Sequence, residues 1–125
     1  MEIMRIIEQE MLHAVAMGCD WQKSNTRVRI EAGGDCACVY LHGNLIAIKD
    51  YRTNIWHYSH CAWRTMTTRS RLNALGANIV QRNWTWIDRI TGQEFVSEEL
   101  DVVLAAIRQR HDQRLRQQDH NLFAA

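Results

Sequence analysis

The sequence predicts an α+β fold: an antiparallel sheet of about five strands, a short central helix, and longer helices at both ends. Two observations carry this. Apolar residues recur at helical spacing near both ends of the chain, whereas the middle alternates with period two and is cut by Gly, Asn and Asp turns. Strands that follow one another between helices argue for an antiparallel sheet with helices on one face. With 125 residues, 46% of them hydrophobic and 23% charged, the chain suits a single domain over residues 1–125 with a real core.

The first helix is expected over residues 1–18. Ile3, Ile7, Met11, Ala14 and Val15 share one face, and Gly18 stands where the helix should stop. Residues 21–24 read as a connection. The sheet and short helix are expected over residues 24–96. "TRVRI" alternates Thr26, Val28 and Ile30 against Arg27, Arg29 and Glu31, a strand with one wet face. "GGD" turns the chain into "CACVYL", then His42-Gly43-Asn44 into "NLIAI", and "IWHYS" is rich in strand formers. Thr67 or Thr68 is the expected cap of a short helix through Leu75, with Gly76 just past it. "IVQRNWTWI" reads as one strand with Trp84 and Trp86 on a common face, and "EFV" as a short closing strand. Ser97, followed by Glu98 and Glu99, opens the last helix over residues 97–118, with Leu100, Val103, Leu104, Ile107, His111 and Leu115 as its stripe.

Composition removes several function classes. The longest apolar runs, "VYL" and "LIAI", cannot cross a bilayer, so no membrane partner is expected. No export signal is visible, so Cys19, Cys36, Cys38 and Cys61 read as reduced thiols in the cytoplasm. A net charge of +1 provides no global attraction to nucleic acid. The charge is uneven, however. Residues 63–89 carry five arginines against one acid, whereas residues 94–125 carry six acids against four arginines.

Four chemistries compete for the remaining motifs. Cys36, Cys38, His57, His60 and Cys61 contain enough ligands for a tetrahedral zinc site. Their spacing does not suit one, and Cys36 and Cys38 read first as small buried residues on one sheet face. A Cys–His nucleophile pair of Cys61 with His42 or His57 has no local motif behind it, and Asp50 and Asp88 sit where turn aspartates belong. No phosphate loop or dinucleotide fingerprint occurs, so neither an enzyme nor a cofactor is expected. Arginines beside aromatics suit single-stranded nucleic acid, with Arg82 and Trp84 on the sheet and Arg69 and Arg71 at the short helix. The last helix, apolar at alternating spacings of four and three, is a candidate homodimer surface.

"SNTRV", "VYLHGNLIA", "CAWRTMTTRSRLNAL" and "IVQRNWTW", in that order, resemble a family of small bacteriophage-encoded proteins of unassigned role. The resemblance covers residues 24–87 and leaves both terminal helices outside it. It implies the cytoplasm of an infected bacterium, and a protein that binds host or phage machinery. The expected function is therefore non-enzymatic binding to a protein, with single-stranded nucleic acid as the alternative. The expected contact surface is Arg64, Arg69, Arg71, Arg82 and Trp84. Arg69 and Arg71 carry the sharpest question, because positive charge at a helix start opposes the helix dipole.

Overall fold

The computed structural model describes residues 4–123. In chain order the elements are α1 (Ile6–Met17), β1 (Trp21–Lys23), β2 (Thr26–Glu31), β3 (Cys36–Leu41), β4 (Asn44–Asp50), β5 (Ile55–Tyr58), α2 (Met66–Ala74), β6 (Ile79–Arg82), β7 (Thr85–Asp88) and α3 (Leu100–Phe123). Strands β1 to β5 form an antiparallel meander in sequence order, and β6 and β7 a separate hairpin. The α+β class, the sheet and the terminal helices are thus as the sequence predicts.

The helices, however, cover both faces of the sheet. Val28, Ala37, Val39 and Leu41 pack with Met11, Ala14 and Val15 of α1, with Leu72 of α2 and with Leu75 just past its end. Cys36, Cys38 and Ile48 face the other way, against Leu100, Leu104 and Ile107 of α3. The physical reason lies in "CACVYL" and "LIAI", which are apolar at both parities. Strands of that kind need cover on both sides, as parallel sheets have. Alternation in β2 alone suggested a wet face.

Several boundaries differ from the sequence reading. Helix α1 starts at Ile6, where the buried Glu8 carboxylate accepts the Arg5 N–H; residues 1–3 of the expected helix lie outside the described residues. Residues 21–23 are not a connection but an edge strand, with Trp21 paired to Val28. "IVQRNWTWI" is a hairpin, because Asn83 and Trp84 both adopt positive φ and turn the chain. "EFV" contributes a single bridge between Ile87 and Glu94. Ser97 does not start α3: its hydroxyl accepts the His60 N–H at 3.0 Å, and the helix begins at Leu100. The helix then runs on to Phe123 instead of ending at 118.

Polar contacts lock α3 to the sheet beyond its three buried apolar side chains. Arg110 holds Asp50 through two bonds of 2.9 Å, and Arg114 lies 3.2 Å from Asp35. Arg52 reaches Asp35 as well, and Arg108 reaches Glu31. Gly33 is required here, since a Cβ would stand 2.5 Å from the His111 ring. On the opposite face, the Tyr58 hydroxyl donates to the Leu75 carbonyl at 2.8 Å and ties β5 to the end of α2. Burial pushes that phenol up to about 12.

Candidate functional site

Helix α2 begins two to three residues earlier than expected. Thr65 is the cap: its hydroxyl oxygen accepts the Thr68 N–H at 3.1 Å, and the two hydroxyls lie 2.9 Å apart. Thr67 and Thr68 are therefore inside the first turn. Ahead of the cap, Cys61 and Ala62 have φ of 51° and 60°, which swings Trp63 and Arg64 outward. Trp63 is 60% exposed and Met66 73% exposed.

The three arginines of this segment separate. Arg71 is only 3% exposed and is not a surface residue. Its guanidinium lies 2.8 Å from Glu8 of α1 and donates to Thr26 of β2 at 3.0 Å, while Ser70 donates to the same carboxylate at 2.6 Å. This network ties α1, α2 and β2 together and removes Arg71 from the expected contact surface. Arg69 is half-buried and Arg64 exposed, and among the described residues neither has a carboxylate within ion-pair distance.

Two recesses flank the first turn of α2. One is a groove of about 460 Å³ lined by Met4, Arg5, Glu8, Met66, Arg69, Ser70, Asn73 and Ala74. The other is a cleft of about 420 Å³, floored by Leu41 and Ile46 and walled by His42, His60, Trp63, Thr65, Thr67 and Thr68. Met66 and Arg69 thus face one side of the ridge, and Thr65, Thr67 and Thr68 the other. Burial lowers the pKa of His60, and the charge of Arg64 adds to the effect. Arg5 and Arg69 line the groove together with Glu8, whose carboxylate is already engaged by Arg71. Met4, Arg5 and Met66 have no motif to single them out; only the placement of Arg69 against the helix dipole hinted at this surface.

The second exposed feature is the tip of the β6–β7 hairpin. Trp84 is 87% exposed at φ 66°, beside the exposed Arg82. Trp86 is buried instead, edge-on to His60 and tilted against Phe95. The turn at Asn83 therefore separates two tryptophans that the sequence placed on one face.

The cysteine and histidine candidates are scattered. Cys36 and Cys38 are buried beneath α3. The neighbouring Cys38 thiol lowers the pKa of Cys36, whereas Cys36 and burial both raise that of Cys38. His57 lies 2.9 Å from Glu98, His60 packs on Trp86, and the Cys61 thiol donates to the Leu45 carbonyl. Among the described residues no three of His, Cys, Asp and Glu converge as a metal site would require. Asp50 accepts the Arg52 N–H and Asp88 the Ile90 N–H, both as turn aspartates. No described helix is long and apolar enough to cross a membrane.

Residues 4–121 match the family model described as Kyanoviridae Gp96 protein. The match spans nearly the whole chain, terminal helices included, and the chain belongs to this phage-encoded family. No curated protein and no solved structure matches it.

Proposed function

We propose that this member of the Kyanoviridae Gp96 family is a phage accessory protein that acts in the infected cell by binding another protein, without catalysing a reaction. The observation that carries the reading is the ridge at the start of α2. A large aromatic and a methionine, Trp63 and Met66, are held out into solvent by a capped helix, next to Arg64 and Arg69. Exposed large apolar groups cost stability unless something covers them, and Trp and Arg dominate the energetics of protein interfaces. The ridge stands on rigid elements, anchored by the buried Glu8–Arg71 pair. The test is affinity capture from infected cells with the wild type and with a Trp63→Ala/Met66→Ala variant. The variant should fold and lose the partner that the wild type retains. A partner that stays bound to the variant would sink this reading.

A second reading is supported by Trp84, exposed next to Arg82 at the hairpin tip, a pairing that suits stacking on single-stranded nucleic acid. Titration of labelled oligothymidylate at low salt separates the two readings. Binding that weakens steeply with salt and disappears in Trp84→Ala favours nucleic acid. Absence of binding at low salt removes it.

A further inference from the structure

We infer that the ridge at the start of α2 receives an acidic segment of a partner protein that also carries a large apolar side chain. The inference rests on the protein-binding reading and adds the chemistry of the partner. Its carboxylates would meet Arg5 and Arg69 in the groove, and its apolar side chain would enter the cleft above Leu41 and Ile46.

The charge argument starts from what the groove already contains. Of its charged groups, Glu8 is consumed by Arg71 and Ser70, which leaves Arg5 and Arg69 as net positive charge. The first turn of α2 contains no acid, and Arg64 adds a further positive charge near His60 of the cleft wall. Arg5 at the cap of α1 and Arg69 near the start of α2 both oppose a helix dipole, so a carboxylate placed against them offsets that cost. The apolar argument starts from the cleft. Leu41 and Ile46 are buried at its floor while Trp63 forms an exposed wall, so an aliphatic or aromatic side chain entering there would cover surface now in water.

Nucleic acid fits the groove poorly. The groove walls are Met4, Met66 and Ala74, with no aromatic ring on which a base could stack. Two arginines in a groove that also contains a carboxylate make a weak track for a phosphate backbone.

The experiment is selection of a display library of random linear peptides on the full chain. Wild type, Arg5→Gln/Arg69→Gln and Arg82→Gln/Trp84→Ala are selected in parallel, with thermal melts to establish that each is folded. The expected outcome is enrichment of peptides with net negative charge and at least one Leu, Ile, Phe or Trp. Their affinity should fall about tenfold in the Arg5/Arg69 variant and stay unchanged in the Arg82/Trp84 variant. Enrichment of neutral or basic peptides, equal affinity for all three proteins, or no enrichment would overturn the inference. So would self-association abolished by Arg69→Gln, which would make the occupant a second copy, or oligothymidylate binding lost in the Arg5/Arg69 variant. If capture from infected cells still depends on Trp63 and Met66 when the selection fails, the protein-binding reading stands and only this chemistry falls.

Discussion

Arg69 and Arg71 stand two positions apart on α2, and one lines an open groove while the other is sealed in the core. Their sequence neighbourhood is nearly identical. What separates them is Glu8, 63 positions before Arg71, which arrives only when α1 packs on α2. A contact of that separation has no local signature, so the sequence could show that the arginines were misplaced but not which one had an internal partner. Removing one member of a buried pair leaves the other charged and desolvated. Arg71→Met is therefore expected to lower the unfolding free energy by about 3–5 kcal/mol. Adding Glu8→Met to it should restore much of the loss, although Ser70 and Thr26 still lose a partner. Denaturant melts of the two variants decide this, and equal loss in both would mean that the pair is not the unit that matters. Trp84 poses the opposite problem. Position 84 adopts φ 66°, where Gly is cheapest, and the side chain is almost wholly in water. Trp84→Gly should stabilise the hairpin by about 0.5–1 kcal/mol. A variant that is instead destabilised would mean that the indole packs in solution. The indole at this position is a burden on the fold, so a functional reason for it is the natural expectation.

Among the elements, α3 shows how a legible pattern can hide most of its own energetics. Leu100, Leu104 and Ile107 were visible as a stripe, and they are the residues buried. Leu115 continues the stripe in sequence but is 46% exposed, because by then the helix has run past the sheet. With 24 residues it is about 36 Å long, and its grip beyond Ile107 is polar. Arg110 and Arg114 meet Asp50 and Asp35, acids that the sequence reading assigned to turns or left unassigned. The hydrogen bonds from Arg110 hold the Asp50 carboxyl down to about 2, below its ordinary 3.8. A carboxyl with a depressed folded pKa contributes stability that is complete above the ordinary value and lost as pH falls towards the folded one. Stability should therefore drop by about 2 kcal/mol between roughly pH 5 and pH 2 through this group alone. Asp50→Asn should flatten that part of the stability-versus-pH curve while lowering the plateau at neutral pH. An unchanged acid limb in Asp50→Asn would show that Asp50 does not carry it. Truncation after Leu115 should leave the melting temperature nearly unchanged, since α3 has no described contact with the sheet past Arg114. Loss of Arg110, by contrast, should destabilise.

At the scale of the molecule, the sheet has two cores that meet in β3 and, through Ile46, Ala47 and Ile48, in β4. Ala37, Val39 and Leu41 of β3 belong to the α1–α2 side, and Cys36 and Cys38 to the α3 side. The order of elements and the fold class were legible because period and turn chemistry are local. The second covered face was not, because helix placement depends on which strands are apolar at both parities, and only β3 and β4 are. The same feature predicts how the molecule opens. Neither helical layer can leave without exposing β3, so the amides of β3 and β4 should exchange with solvent only through global unfolding. The first third of α3, Leu100 to Ile107, should exchange nearly as slowly, since its loss uncovers Cys36, Cys38 and Ile48. The helix beyond Leu115 has no such tie and should exchange within the earliest time points. Native-state hydrogen exchange followed by mass spectrometry reads all three regions at once. If Leu100–Ile107 exchanged orders of magnitude faster than β3, α3 would open by itself and the two faces would be energetically independent. The ion pairs of Asp35 and Asp50 would then be a latch on a detachable helix instead of part of one cooperative core.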